Sequence, residues 1–178
     1  YAEMLALVGV DMAITVHNHS VSVQRLFRKQ MRDAFLNLSP AEVFADYIAN
    51  SDVTPSLHSG EGLLVCAPDK GARHFTAEVH EKLGAPGAGL LFIAKERMGE
   101  RQVSSLIDAA SPCPVEAIAG KDVVVFDDMV RTGGTIRESC RLLKEAGAKR
   151  LVFFVTHFYS SVEVRENLNS PVLDEIVT

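Results

Sequence analysis

Val123-Val-Val-Phe-Asp127-Asp128-Met-Val-Arg131-Thr132-Gly133-Gly134-Thr135-Ile136 reads as a run of β-formers, two carboxylates, a glycine turn and the opening of a helix. An uninterrupted apolar run suits a parallel strand covered on both faces, because a strand with one wet face alternates polar and apolar residues. The chain that follows, Ile136-Arg-Glu-Ser-Cys140-Arg-Leu-Leu-Lys-Glu-Ala-Gly147, has apolar side chains at helical spacing and stops at a glycine. The turn between strand and helix therefore belongs at the carboxyl edge of a sheet, where open α/β folds bind ligands. Thr132, Gly133, Gly134 and Thr135 offer backbone N–H groups with no Cβ at the glycines, two hydroxyls and the positive end of a helix dipole, a set suited to a phosphate dianion. Asp127 and Asp128 would repel that phosphate, so their expected partners are sugar hydroxyls or a divalent cation one sugar length away. The alternative is an ordinary strand-turn-helix corner with solvated acids, and the strand, paired acids and Thr-Gly-Gly-Thr falling in register weigh against it. A nucleoside-triphosphate P-loop is excluded, since no Gly-Lys-Ser/Thr follows the glycines.

Further out, short apolar runs near residues 12–16, 63–66, 90–93 and 151–155 join 123–126 as expected strands. Ser39-Pro40-Ala-Glu42 combines an N-cap, a proline at the first helical position and a capping-box acid, and it launches a helix over 43–49. A second helix spans 72–83 and stops at Gly84, and another follows Ser160-Ser161 and ends near Asn169-Ser170-Pro171. Stretches 54–60 and 84–89 read as Pro/Gly-rich connectors. Strands alternating with helices predict an α/β fold: a parallel sheet with helices on both faces.

The 178 residues, 47% of them apolar, suffice for a full core but leave no room for a second large domain, so residues 1–178 are expected to form one domain. A net charge of -5 without a long basic run argues against nucleic acid as a partner and leaves anionic substrates to local loops and metal. Cys66, Cys113 and Cys140 are odd in number and lack Cys-x-x-Cys spacing, which suggests a reduced, cytoplasmic protein. No apolar run approaches the ~20 residues of a membrane span, and the first residues lack a signal peptide's pattern.

Three further segments carry candidate chemistry. In Thr15-Val16-His17-Asn18-His19, at the end of an expected strand, alternation would put His17 and His19 on one face, ready for a shared ligand or metal; the alternative is a pair of loop histidines. Ala67-Pro68-Asp69-Lys70-Gly71 follows an apolar strand, so Asp69 is either a ligand at the same sheet edge as Asp127 and Asp128 or the cap of a Pro-Asp turn. Ala94-Lys95-Glu96-Arg97-Met98-Gly99-Glu100-Arg101 reads as a charged loop whose cations could close over phosphates, or as a solvated hairpin.

The stretch Asp127–Thr135 resembles the phosphoribosyl diphosphate (PRPP) motif shared by type I phosphoribosyltransferases and ribose-phosphate diphosphokinases, the PRPP synthetases. Lys95-x-Arg97 resembles the catalytic loop of the synthetases, the Pro68-Asp69-x-Gly71 loop and His19 are similar to their metal–nucleotide segments, and the likeness extends through Lys144–Arg150 and Thr156-His157. Two positions depart from the family pattern: His17 stands where Asp is usual, and Arg131 where Asp or a small residue is common. The resemblance implies a phosphoribosyltransferase-like, Rossmann-like domain matching the family's second half, with the family's amino-terminal domain absent from this sequence. It further implies Mg²⁺-dependent transfer of a diphosphoryl group from ATP to ribose 5-phosphate, giving PRPP and AMP. On that reading Asp127, Asp128 and Thr132 to Thr135 hold the sugar phosphate, His19 and Asp69 hold the metal, and Lys95, Arg97 and His19 engage ATP, with Lys95 and Arg97 catalytic. A homo-oligomer is implied as well. A type I phosphoribosyltransferase consuming PRPP and a non-catalytic PRPP-synthetase-associated regulatory subunit are the alternatives.

Overall fold

Four of the five apolar runs of the sequence form the centre of a six-stranded sheet flanked on both faces by amphipathic helices, and the fifth, near residues 12–16, instead lies in a separate two-stranded sheet. The structure is a computed structural model. It describes residues 1–59, 62–97, 103–168 and 171–178, with side chains at all of these except 59, 95–97, 103–106 and 167. The chain packs as two compact units, Tyr1–Pro40 and Ala41–Thr178.

The first unit contains α1 (Ala2–Leu7), β1 (Ala13–Val16), α2 (Val21–Met31), a 3-10 turn at Arg32–Ala34, and β2 (Phe35–Leu38). β1 and β2 pair in parallel, from Ala13 opposite Phe35 to Val16 opposite Leu38. Ser20 caps α2 by accepting a hydrogen bond from the Val23 N–H at 3.3 Å. Phe35 is buried and its ring centroid lies 5.0 Å from that of Phe27, whereas Ile14, Val16, Leu36 and Leu38 on the opposite face of the strand pair are exposed.

The second unit runs α3 (Ala41–Asn50), α4 (Pro55–Ser59), β3 (Leu63–Ala67), α5 (Arg73–Leu83), β4 (Ala88–Arg97), β5 (Val103–Ile107), a 3-10 turn at Val115–Ile118, β6 (Asp122–Val130), α6 (Gly134–Glu145), β7 (Arg150–Phe158), α7 (Val162–Leu168) and β8 (Glu175–Val177). The strand order is β5-β4-β3-β6-β7-β8. Every neighbouring pair is parallel except β4 with β5. On one face Phe44 and Ile48 of α3 and Phe75 and Val79 of α5 cover Val65, Val124, Phe126 and Phe154. On the other, Ile136, Cys140 and Leu143 of α6 and Leu168 of α7 cover Cys66, Val125, Phe153 and Val155. Both faces of β3, β6 and β7 are thus dry, as their continuous apolar runs require.

Several elements exceed or escape the sequence reading. Strands expected over 123–126 and 151–155 run on to Val130 and Phe158, because the two pair with each other through Asp127 opposite Val155, Met129 opposite His157 and Val130 opposite Phe158. That ladder satisfies the backbone beyond the apolar residues, so polar side chains do not end the strands. The charged loop expected from residue 94 is strand as far as Arg97, paired antiparallel with β5, and residues 98–102 lie outside the described residues. Connector 54–60 contains α4, whose buried Ser56 donates its backbone N–H to the Asp122 carboxylate at 2.9 Å. The expected stop at Gly84 is present, with φ +55.

Candidate functional site

The site grows out of the corner between β6 and α6. Gly133 has φ +72 and caps α6 with no side-chain hydrogen bond, so the first turn of that helix is unobstructed by a capping side chain. Arg137 N–H donates to the Gly133 carbonyl at 3.0 Å, which begins the helical ladder at the glycine. A Cβ at Gly134 would meet nothing within 4 Å, so space lies open beside its backbone. Ile136, Cys140 and Leu143 are buried beneath and fix the helix axis, while Arg131 and Thr132 are exposed and Thr135 is half-buried. The N-terminal end of a well-seated helix, bare of side-chain caps, is a ready site for a phosphate oxygen.

Asp127 and Asp128 lie on the protruding end of β6, both half-buried, rather than in a loop after it. The Asp128 N–H donates to Oδ1 of Asp127 at 2.9 Å. Burial pushes the Asp127 carboxyl up to about 7, with further upward pressure from a hydrogen bond shared with the Asp128 carboxyl and from the charges of Asp128 and Asp69. Asp69 therefore faces the same space from the neighbouring strand, since β3 ends at Ala67 beside β6. Its Oδ1 accepts from the N–H groups of Gly71 at 2.9 Å and Ala72 at 3.3 Å, closing the turn that leads into α5. Pro68, just before it, receives the buried Ser139 hydroxyl of α6 on its carbonyl at 3.3 Å. The Pro-Asp turn and the glycine corner are tied together by this bond, and Asp69 serves its own turn as well as the acidic cluster.

Two residues missed by sequence reasoning support the same edge. Arg73, at the start of α5, pairs with Asp108 after β5 and lies 5.2 Å over the Phe92 ring of β4. The Ala110 N–H and the Arg73 guanidinium hold the Asp108 carboxyl below its usual range. Neither residue sits in a motif, because the pairing spans β4 and β5 and only the fold creates it.

The remaining expected site residues fall out as follows. His17 leaves the strand at φ +49, with its N–H donating to the Leu38 carbonyl at 2.8 Å, so strand alternation does not carry on to His19 and the two histidines do not share a strand face. His17 is half-buried and His19 exposed, both in the Tyr1–Pro40 unit. The intervening Asn18 is held by Asn37 of β2, whose Oδ1 accepts its N–H at 2.9 Å. The backbones of Lys95 and Arg97 lie opposite Ser105 and Val103, three and five residues past Phe92, the β4 partner of Ala67 where β3 ends. Asp69, Asp127, Asp128 and the Thr132 to Thr135 loop are thereby gathered at one sheet edge, with the β4 strand rising past it. Among the described residues, no group of three or more His, Cys, Asp or Glu side chains is placed to hold a metal ion, and no helix is long and apolar enough to cross a membrane.

A corner of this kind at the carboxyl edge of a parallel sheet defines a phosphoribosyltransferase-like protein, and the chain belongs to the phosphoribosyl transferase domain family, whose model matches residues 43–171. Within that family its kinship is with the PRPP synthetases, as the sequence resemblance implies. It is 30% identical over 177 residues to a ribose-phosphate pyrophosphokinase of Corynebacterium efficiens and 28% over 176 residues to one of Pasteurella multocida, matching 99% of this chain and 50% of each relative. The phosphoribosylpyrophosphate synthetase of Mycobacterium smegmatis superposes with a TM-score of 0.72 at 26% identity, over 98% of this chain and 50% of that one. A hypoxanthine phosphoribosyltransferase of Staphylococcus aureus shares the fold, with a TM-score of 0.51 at 15% identity, over 77% of this chain and 70% of that one. The chain spans about half the length of the curated relatives it matches.

Proposed function

We propose that this chain carries the ribose 5-phosphate side of a diphosphoryl transfer from ATP that yields PRPP and AMP. The observation that supports it most is the convergence of the Thr132 to Thr135 corner with Asp69, Asp127 and Asp128 at one edge. In this reading the loop N–H groups and threonine hydroxyls hold the 5-phosphate, and Asp127 and Asp128 hold the ribose hydroxyls. The C1 hydroxyl oxygen attacks the β-phosphorus of ATP, the bond from that phosphorus to the α–β bridging oxygen breaks, AMP leaves with the electron pair, and the hydroxyl proton is released.

The acidic cluster fits Mg²⁺. Asp128 and Asp69 both press on the Asp127 carboxyl, a pressure that a divalent cation relieves, and Mg²⁺ commonly binds through one or two carboxylates together with substrate phosphates rather than a protein cage. Bound there, it would neutralise polyphosphate charge and orient the transferring group. Asp69 would hold it. Lys95 and Arg97, on the strand that rises past the edge, would neutralise the transferring phosphates.

Arg131, an exposed cation beside the sugar-phosphate corner where the family pattern has Asp or a small residue, favours a second reading, in which the chain binds the sugar phosphate without turnover, as a regulatory subunit would. One experiment separates the two. With Mg·ATP and ribose 5-phosphate, the ³¹P spectrum is expected to show AMP and a new C1-linked diphosphate, both lost in Asp128→Ala. A 5-phosphate resonance that shifts on binding with no product supports the second reading, and no shift at all sinks both.

A further inference from the structure

The two glycines of the phosphate corner are not equivalent. A Cβ added to Gly133 would lie 3.2 Å from Cγ, Cδ1 and Cδ2 of Leu168, whereas one added to Gly134 would enter open space. Leu168 is only 3% exposed and shares a buried cluster with Val130 and Ile136, the residues that bracket the corner on its strand and helix sides. Its helix, α7, is itself fastened to the end of β7: the Arg165 guanidinium carbon lies 5.5 Å from the centre of the Phe158 ring, and Phe158 pairs with Val130. α7 thus returns across the corner and sets one leucine against the one residue whose backbone must be left-handed.

We infer that Leu168 is a positioning residue of the sugar-phosphate site, holding Gly133 in the conformation that aims the following N–H groups at the anion. This rests on the reading of Thr132 to Thr135 as the phosphate-binding loop. Glycine populates left-handed and right-handed backbone about equally and has no side chain to pin it, so its conformation here is set from outside. Beyond the two adjoining residues Leu168 is the nearest body: the three closest atoms to the Gly133 Cβ position all belong to it. Without that contact the Arg137 N–H on its carbonyl is left to hold Gly133, the ligand must complete the ordering of the corner on binding, and donors ordered on binding hold an anion less tightly than preorganised ones.

The test titrates ribose 5-phosphate into the full chain by ³¹P NMR, at a temperature where circular dichroism shows each variant folded. Leu168→Ala is expected to weaken binding about tenfold, the cost of ordering roughly one residue's backbone, while Leu168→Met, which keeps the volume, stays near wild type. Gly133→Ala is expected to weaken binding in both backgrounds, because a side chain at φ +72 is strained whatever the space, and to do so less in Leu168→Ala, where the contact with the leucine is gone. Binding unchanged in Leu168→Ala despite a lower Tm would make Leu168 merely structural and overturn the inference. If Leu168→Ala does not fold, Leu168→Val replaces it, and unaltered affinity there is equally fatal. Gly134→Ala tests the underlying reading separately, since its methyl enters the ligand space without touching protein. Binding by wild type that Gly134→Ala leaves untouched, or no binding by wild type, overturns the phosphate loop and the inference with it.

Discussion

Asp127 carries a carboxyl that the folded chain pushes up to about 7, through burial first and then its neighbours Asp128 and Asp69. An unfolded aspartate titrates near ~3.9. Between these values the folded state holds a proton that the unfolded state has released, so the folded chain loses stability as pH rises through that window and the loss levels off above about 7. Asp127→Asn mimics the protonated acid. Its Tm is therefore expected to match wild type near pH 3, below both values, to pull ahead as pH rises through the window, and to exceed wild type at pH 8 by several degrees, roughly 2–4 °C for each kcal/mol of relief in a chain of this size. Differential scanning calorimetry across that range checks this, and equal melting at pH 8 would show that Asp127 is not strained by its neighbours. The pair of acids was legible in the sequence and its coupling to Asp69 was expected only as a shared edge. The protonation was not legible, because it depends on how deeply the end of β6 sits between β3 and β7.

At the scale of elements, the strand-corner-helix unit β6-α6 could be read directly, since Val123 to Phe126 has no wet face and Gly147 punctuates the end of the helix. Elements whose pattern is broken by charge or by hydroxyls could not. α2 mixes Val23, Leu26 and Phe27 with Arg25, Arg28 and Lys29, and β5 carries Ser104 and Ser105 between its apolar ends. The histidine segment fails for another reason: alternation predicts faces only while the backbone stays extended, and His17 turns it at φ +49. The turn into α5 bears out the reading of Asp69 as the residue that closes a Pro-Asp turn, while its charge also reaches Asp127. Asp69→Ala is expected to cost about 1 kcal/mol of stability, the usual net worth of such a turn hydrogen bond, by chemical denaturation, and also to lower the titration midpoint of Asp127. Asp69→Asn keeps the turn and removes only the charge, so it should move the Asp127 midpoint downward with little loss of stability. A midpoint unmoved in both variants would show that the two carboxyl groups do not sense one another.

Across the whole molecule, the two compact units have unequal means of standing alone. Every buried residue of the two large clusters lies between Ala41 and Leu168, and both faces of the six-stranded sheet are covered by helices from within that span. Tyr1–Pro40, by contrast, has a two-stranded parallel sheet with Ile14, Val16, Leu36 and Leu38 exposed on one side, and Met4, Leu7 and Leu26 exposed besides. A chain of about 40 residues buries too little surface to offset its conformational entropy, and a two-stranded sheet does not persist unaided in water. Residues 41–178 expressed alone are therefore expected to melt cooperatively and to keep the corner at Thr132 to Thr135, with any affinity for ribose 5-phosphate intact, because Leu168, Ile136 and Val130 all belong to that span. A peptide of residues 1–40 is expected to show a disordered far-ultraviolet spectrum. The unit that holds His19 would then be the dependent one, and loss of ribose 5-phosphate binding from residues 41–178 would show instead that the sugar-phosphate site needs both.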